Sequence, residues 1–312
     1  YTWLHATWSV GSRHRPATMT AATRLLVAKT AAATTAAVVL VLLLAHSLAP
    51  PSLQLPLARA APESLNVVDD AEFSDRAALL LALNRTARRM ERLKTVAPAC
   101  PPVPAGSGGG VHSICKTGVA GLARPCKVYS FGISNNWSFD TELGKLCSVV
   151  ALDPSVTHQS ELAPNVHFLP VGAHTLDPSS DARWALLTTL PRLRRWLGDD
   201  RLAVLKMDCE GCEYALAEDI LQEDPTFFDH VEQFAVEIHA SRVFMTSPQH
   251  GLNLGRLFLL LERSGLQLIE ALLGPCGPPH ETSGCTAELV ESGYPCGPNL
   301  MCQNLLFARA QH

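Results

Sequence analysis

The sequence contains few charged residues and has no excess of positive charge. Asp, Glu, Lys and Arg account for 17% of the 312 residues and the formal net charge is −4, whereas about 25% charged residues is usual for soluble domains. Proteins that hold nucleic acid by bulk charge are basic, so we expect no nucleic-acid partner. Hydrophobic residues make up 47% of the chain. This excludes disorder throughout, and the shortage of charge indicates a membrane-embedded segment.

Residues 1–29 contain no acidic residue, whereas four basic residues give them a charge of +4 and leave −8 for the rest. Residues 31–49 carry no charge and would span roughly 28 Å as a helix, close to the thickness of a hydrocarbon core. The positive-inside rule then predicts a cytosolic N-terminus, residues 1–30, and a transmembrane signal-anchor, residues 31–49. Met19 begins an ordinary basic leader, so we assign no function to residues 1–18.

This pattern predicts a single-pass type II membrane protein, bound to the membrane through the N-terminal helix. Its folded domain is expected in the lumen of the Golgi or ER, or outside the cell. The alternative is a secreted protein, because Ala58-Arg59-Ala60 has the small-x-small form of a signal-peptide cleavage site.

Ten cysteines indicate an oxidising compartment in either case. Four of them, Cys276, Cys285, Cys296 and Cys302, lie in a Gly/Pro-rich stretch that has little core of its own, so disulfides are expected there. Zinc binding is the alternative, but these spacings lack the paired C-x-x-C form of structural zinc sites.

A stem and linker, residues 50–110, are predicted between the anchor and the folded domain. Regularly spaced apolar residues predict a helix over residues 70–95, and we expect the glycosylation sequon at Asn84 to be accessible there. Residues 97–110 are rich in Pro and Gly and do not suit a helix or a central strand. The domain is therefore expected at residues 111–312.

Short apolar runs alternate with helical patterns in that domain, which predicts a mostly parallel sheet with helices on both faces. The last two strands have no predicted helix between them, which is typical of an antiparallel hairpin at a sheet edge. The predicted strands are 127–131, 148–152, 166–170, 202–207, 233–239, 266–272 and 304–308. The predicted helices are 139–147, 182–197, 215–222 and 252–264.

Gly132 ends the first strand and precedes a helix. Such a turn places backbone N–H groups at the carboxyl edge of the sheet, where nucleoside ligands bind. Asp153 ends the second strand, 21 residues later, at a distance suited to a carboxylate that accepts hydrogen bonds from a ribose. The pattern is incomplete because one glycine of the usual three is present, and a plain turn beside a surface Asp is the alternative.

A cluster of carboxylates follows the fourth strand. Asp208, Glu210 and Glu213 lie within six residues, where they are placed to take a proton, hold a cation or orient a substrate. On the fifth strand, Glu237 and His239 share one face and are expected near Asp208. The structural alternatives are a helix-starting charge for Glu213 and a simple hydrogen-bonded histidine. Cys209-x-x-Cys212 has the form of a redox or metal pair, but its position between strand and helix does not favour that use.

Five blocks of sequence together resemble the FkbM-type S-adenosylmethionine-dependent methyltransferases, in particular their membrane-anchored group. The blocks are VYSFGISNNWSFD, ALDPS, NVHFLPVG, LKMDCEGCEY and QFAVEIH, and they occur in this order between Cys126 and Ala240. The resemblance implies a Rossmann-like class I methyltransferase fold of the α/β class. Its mostly parallel seven-stranded sheet has the order 3-2-1-4-5-7-6, with an antiparallel edge strand.

The same resemblance implies S-adenosylmethionine as cofactor and O-methylation as the reaction. The residues implied to bind the cofactor are Ser130, Phe131, Gly132, Ile133, Ser134, Asp153, Val171 and Gly172. Those implied to act on the acceptor are Asp208, Glu210, Glu237 and His239. The sequence departs from the generic pattern at Ser130, where an acidic residue is common, and in lacking the second glycine of the loop.

Two other hypotheses remain. A type II lumenal glycosyltransferase would use Asp208-x-Glu210 as a metal and nucleotide-sugar site, and a membrane-tethered binding domain would share the fold without catalysis. No metal-ligand set is predicted, although a divalent cation stays open. The acceptor, whether a small molecule, a glycan or a protein, is not specified by the sequence, because acceptor pockets are built from variable loops.

Overall fold

The computed structural model describes residues 71–98, 100–116, 125–173, 187–274 and 284–309. These ranges belong to a compact unit of residues 64–312. The predicted cytosolic segment and signal-anchor lie outside the described residues. Within the ranges above, none of the helices combines the length and the hydrophobicity needed to cross a membrane.

The elements alternate along the chain as the sequence pattern predicts. The helices are α1 Ala71–Ser74, α2 Arg76–Leu93, α3 Ser138–Gly144, α4 Leu190–Leu197, α5 Glu213–Glu223, α6 Pro248–Arg263 and α7 Ala287–Ser292. The strands are β1 Val103–Ala105, β2 His112–Ile114, β3 Lys127–Phe131, β4 Ser148–Leu152, β5 Glu161–Ala163, β6 Val166–Leu169, β7 Gly172–Ala173, β8 Leu187–Thr188, β9 Val204–Met207, β10 Gln233–His239, β11 Leu266–Gly274 and β12 Cys302–Arg309.

The main sheet has eight strands in the order β11-β12-β10-β9-β3-β4-β6-β5. Strands β6, β4, β3, β9 and β10 run parallel, and β12 runs antiparallel to both β10 and β11. Numbered as seven strands, this is the order 3-2-1-4-5-7-6, so the predicted Rossmann-like sheet is confirmed.

The antiparallel hairpin predicted at a sheet edge is confirmed by β11 and β12. Its antiparallel strand β12 is not the edge strand itself, because it lies between β10 and β11, as the order 3-2-1-4-5-7-6 requires. At the other edge, β5 adds an antiparallel eighth strand beside β6. The predicted bounds of β3, β4 and β10 match the observed ones, since these buried strands are continuous apolar runs that end at polar or glycine residues.

The predicted helix over residues 182–197 is shorter in the structure. Residues 182–186 lie outside the described residues, β8 occupies Leu187–Thr188, and α4 begins at Leu190. Thr189 caps the helix, because its hydroxyl accepts a hydrogen bond from the Arg192 N–H and Pro191 occupies the first turn. The cap therefore fixes the start of the helix later than the hydrophobic pattern indicates.

Helix α2 packs into the main core and does not form a separate stem. Leu79 and Leu83 are at most 1% exposed and belong to the same hydrophobic cluster as Phe258 of α6. The two helices approach closely at Gly255, where an added Cβ would lie 2.6 Å from the Leu79 carbonyl oxygen. The sequence predicts the helix correctly, but its apolar stripe covers the domain.

The predicted linker is likewise part of the folded structure. Strand β1 pairs with β2 in an antiparallel hairpin, and a disulfide joins Cys100 to Cys115. Gly106, directly after β1, has a φ of +89° in the connection between the two strands, a conformation that favours glycine. Residues 71–110 are thus continuous with the domain expected to begin at Val111.

The expectation of disulfides is confirmed within the described residues. The described pairs are Cys100–Cys115, Cys126–Cys147, Cys209–Cys212 and Cys285–Cys296, and Cys302 is disulfide-bonded as well. The pair in the C-terminal stretch lies where the shortage of core residues indicates a need for cross-links.

The sequon at Asn84 is less accessible than expected. The Asn84 side-chain nitrogen donates a 2.7 Å hydrogen bond to the Ser292 carbonyl oxygen, and Thr86 is 5% exposed. The structure therefore contradicts an open sequon in a stem, because α2 turns this side toward α7.

Substitution on α2 tests whether this helix is part of the core. Leu83→Ala should lower the free energy of unfolding by about 2–5 kcal/mol, because it leaves a cavity in the core. The matched control is Leu81→Ala on the same helix, where the side chain is 52% exposed, and it should change stability by less than about 0.5 kcal/mol. Urea denaturation of the full chain measures both values, and equal effects would show that α2 is not packed on the sheet domain.

Candidate functional site

A cavity of about 840 Å³ opens beyond the carboxyl ends of β3, β4 and β9. The strand order reverses between β3 and β9, and in open α/β sheets ligands bind at such a switch point. The predicted site residues in its wall are Phe131, Gly132, Ser134, Asp153, Gly172, Asp208 and Glu210. The sheet thus brings together residues that are far apart in the sequence.

Gly132, in the loop that follows β3, lies directly against the end of β9. Its φ is +73°, and an added Cβ would lie 1.6 Å from the Asp208 carbonyl oxygen. Its N–H donates a 2.9 Å hydrogen bond to the Leu152 carbonyl of β4. The glycine is therefore required both by backbone conformation and by the space available.

Asp153 lies in the cavity wall and is 5% exposed. Its Oδ2 accepts a 2.8 Å hydrogen bond from the Ser134 N–H, and its Oδ1 accepts a 2.8 Å bond from the Ser155 N–H and a 2.5 Å bond from the Ser155 hydroxyl. An ionised carboxylate has about four acceptor positions. Asp153 therefore shapes the loop and retains capacity for one further donor.

Lys206 supports the same loop from below and is not among the site residues predicted from the sequence. The side chain is buried on β9, and its ammonium donates to the carbonyl oxygens of Phe131 at 2.9 Å and Gly132 at 3.0 Å. Burial lowers the pKa of Lys206, although the charges of Asp208 and Asp140 oppose this. The sequence does contain a signal for this residue. A lysine within the apolar run LKM is expected to be buried, and a buried ammonium needs polar partners.

Asp208 contacts two basic side chains. His112 Nε2 lies 3.5 Å from Asp208 Oδ2, and Lys206 Nζ lies 3.8 Å from the same oxygen. Burial by itself would raise the pKa of Asp208, but the interactions with His112 and Lys206 outweigh it and lower that pKa. His112 is likewise absent from the predicted site, because it lies on β2, close to the predicted linker.

Glu237 lies close to Asp208 but does not line the described part of the cavity. His112, Asp208 and Glu237 each offer a polar atom, and these atoms all lie within 4.8 Å of one another. Burial and the charge of Asp208 raise the pKa of Glu237.

His239 belongs to a buried network behind the cavity. Its Nδ1 lies 3.0 Å from Glu213 Oε1, and the same oxygen accepts a 3.1 Å hydrogen bond from the His239 N–H. The Tyr214 hydroxyl donates to the His239 carbonyl. Although burial opposes it, the contact with Glu213 raises the pKa of His239. Its Nε2 is 3.7 Å from Glu237 Oε1, so the two side chains share one face of β10, as predicted.

The remaining predicted site residues are buried outside the described cavity wall. Ser130, Ile133 and Val171 are at most 8% exposed. The Ser130 hydroxyl lies on the side of β3 that faces Asp140, whose pKa is raised by burial. These three residues therefore support the wall from behind.

Cys209 and Cys212 line the cavity and are joined by a disulfide. The disulfide removes both thiolates as metal ligands. Glu210, between them, is exposed and has a φ of +51°, which directs this short loop around the cavity mouth.

Two glycines with the same backbone conformation test the contact at the loop. Gly132→Ala should destabilise the fold by about 1–3 kcal/mol more than Gly198→Ala, because its Cβ collides with the Asp208 carbonyl. Gly198 has a φ of +71° with nothing within 4 Å of an added Cβ, so its substitution should cost only the conformational term of about 1–2 kcal/mol. Comparison of urea midpoints and slopes measures the difference, and equal losses would remove the steric argument.

The Glu213–His239 pair predicts a pH dependence of stability. The pKa of His239 is raised above its ordinary value of 6.5 by Glu213 and by the charges of Glu237 and Asp208. Its stabilisation is therefore complete below pH 6.5 and is lost as the pH rises through the higher folded-state pKa. Relative to His239→Gln, the wild type should lose stability over that range in denaturation experiments. A difference that stays constant or grows with pH would contradict this role.

No family model matches the sequence, and no curated protein matches it significantly. Several solved structures are similar. They include a fibrillarin pre-rRNA processing protein from Methanococcus jannaschii (TM-score 0.31, 10% identity, 70% of this chain and 86% of that one). A TehB-like SAM-dependent methyltransferase from Corynebacterium glutamicum gives a TM-score of 0.29 at 13% identity, over 73% and 97% of the two chains. A SAM-dependent methyltransferase from Archaeoglobus fulgidus gives 0.28 at 10% identity, over 62% and 89%. At these TM-scores the similarity carries no inference, and the fold assignment rests on the observed strand order.

Proposed function

We propose that the chain is an S-adenosylmethionine-dependent methyltransferase that binds its cofactor in the cavity beyond β3, β4 and β9. The observation that carries the proposal is the position of Asp153 beside the Gly132 loop, on the wall of a cavity at the switch point of the sheet. A carboxylate at the end of the second strand is suited to accept hydrogen bonds from a ribose.

In this proposal, each part of the cofactor has residues that would hold it. Asp153 would accept from the ribose, Gly172 would border the adenine, and Phe131, Gly132 and Ser134 would face the methionine part. Ser130, Ile133 and Val171 hold these residues in place from the buried side. The cavity volume of about 840 Å³ lies within the range of small-molecule sites, about 300–1,000 Å³.

The reaction we propose is O-methylation. The cofactor would supply a methyl group on a sulfonium. The acceptor oxygen would form the new bond to the methyl carbon while the carbon–sulfur bond breaks and its electron pair stays on sulfur. The hydroxyl proton must pass to a base, and Asp208 or Glu210 in the wall takes this role. Most of the acceleration comes from alignment of the acceptor with the methyl group.

Glu237 and His239 act in this proposal as positioning residues rather than as direct contacts of the acceptor. Glu237 lies against the Asp208 cluster, and His239 is tied to Glu213 and Glu237. A buried chain of this kind fixes the orientation of the Asp208 carboxylate.

We place this activity in the secretory pathway, with the chain anchored as a type II membrane protein. The uncharged stretch of residues 31–49 and the disulfides of the domain support this location. The acceptor is then a small molecule, glycan or protein of that compartment.

Ligand-induced stabilisation of the full chain tests the proposed function. S-adenosylhomocysteine at about 100 times its dissociation constant should stabilise the fold by about 2.7 kcal/mol, seen as a rise in melting temperature. Asp153→Ala should weaken binding about 10–100-fold, because it removes hydrogen bonds to a charged group. The matched control is Ser155→Ala, which keeps the carboxylate and should retain most of the affinity.

Parallel samples with UDP plus Mn²⁺, and with Mn²⁺ alone, separate the competing hypotheses. Stabilisation that requires UDP would identify a nucleotide-sugar site instead. The absence of a shift with every nucleoside would leave a non-catalytic binding domain. The sample with Mn²⁺ alone prevents a simple metal effect from being read as nucleotide binding.

A further inference from the structure

The buried side of Asp208 contains polar atoms that the proposed methyl transfer does not use. His112 is 2% exposed, and its Nε2 has no hydrogen-bond partner within the described ranges. The Asn304 Oδ1, on β12 beside Glu237, is likewise buried and without a partner there. Buried polar atoms are normally satisfied, so such a group needs an explanation.

The polar atoms converge on one point. One imidazole nitrogen of His112 and one carboxylate oxygen each of Asp208 and Glu237 lie within 4.8 Å of one another. Asp208 follows the end of β9, and Glu237 lies on the neighbouring strand β10. His112 reaches them from the β1–β2 hairpin. This hairpin is fixed in place, because the Gln233 side chain bonds both to the Cys115 N–H at 2.7 Å and to its carbonyl at 3.0 Å.

We infer that His112, Asp208 and Glu237 form a binding site for a divalent transition metal ion of the zinc type. One imidazole nitrogen and two carboxylate oxygens are a donor set that suits this ion, with the remaining position open. Cys209 and Cys212 do not supply thiolate ligands, because they are joined by a disulfide.

The distance between His112 and Asp208 fits two ligands of one metal ion better than it fits a direct hydrogen bond. Their closest atoms are 3.5 Å apart, which is long for an N–H···O hydrogen bond. Two ligands about 2.0–2.1 Å from a tetrahedral ion are about 3.3–3.5 Å apart. The pair is thus already spaced for an ion between its members.

The local charge also suits a cation. One carboxylate oxygen of Asp208 and one of Glu237 lie within 4.8 Å of each other, so two like charges repel at this point. Two basic side chains lie nearby, but both have other partners. Lys206, 3.8 Å from Asp208 Oδ2, donates to the carbonyls of Phe131 and Gly132. His239, whose Nε2 is 3.7 Å from Glu237 Oε1, is held by Glu213. A cation bound at this point would therefore reduce the repulsion between the Asp208 and Glu237 carboxylates.

Asp208 also lines the cavity, so an ion held there lies at the cavity wall. It would bind an acceptor hydroxyl and lower its pKa. This use of the ion rests on the proposed function, whereas the metal site itself does not.

Metal binding without any methyl transfer tests the inference. The full chain is stripped with a chelator and titrated with Zn²⁺ by calorimetry in the absence of cofactor. We expect one ion per chain, with affinity lowered at least about 100-fold in His112→Gln and in Glu237→Gln, because even outer-shell substitutions cost about 10–100-fold. The matched control is His167→Ala, which removes an exposed histidine on β6 and should leave the affinity unchanged.

A crystal of the wild-type chain soaked in Zn²⁺ gives a second measurement that does not depend on the folding of the variants. An anomalous peak within bonding distance of all three side chains supports the site. The absence of that peak, or wild-type affinity in both variants, overturns it. Failure of S-adenosylhomocysteine to bind would count against the proposed function and leave this result as it stands.

Discussion

The close contact between the Gly132 loop and the end of β9 is the constraint on which the site depends. The Asp208 carbonyl occupies the space where a side chain of residue 132 would lie, and Lys206 donates to the two loop carbonyls from below. Together these contacts hold the ends of β3 and β9 side by side. Because the strand order reverses there, the same contact sets the width of the cavity and the position of the Asp208 carboxylate.

The sheet could be predicted because its signals are local. Each parallel strand is a short apolar run buried on both faces, bounded by polar or glycine residues. The positions of Asp153 and Asp208 follow from the same pattern, since a residue just after a parallel strand lies at the carboxyl edge. The order of the strands, in contrast, came from the resemblance to a family and not from the pattern of apolar residues.

What the sequence could not supply are contacts between distant segments. Helix α2 would show the same apolar stripe whether it covered a domain or stood alone, and its close approach to Gly255 of α6 is visible only in the structure. His112 lies in a segment whose Pro and Gly content indicates a linker, yet a disulfide and a hairpin bring it to Asp208. The role of Lys206 depends on the Phe131 and Gly132 carbonyls, which lie far from it in the sequence. In each case the partner is far away in the sequence and no periodic pattern marks it.

The charges around the cavity are consistent with a positively charged ligand. Asp153, Asp208 and Glu210 lie in its wall, and Glu237 lies just behind, whereas Lys206 is turned toward the loop carbonyls. A sulfonium and a divalent ion are both cations that such a wall attracts, and each would lower the cost of keeping several carboxylates together in a partly buried place. Asp208 is common to both proposals, so a cofactor in the cavity and an ion bound to Asp208 would lie against the same wall.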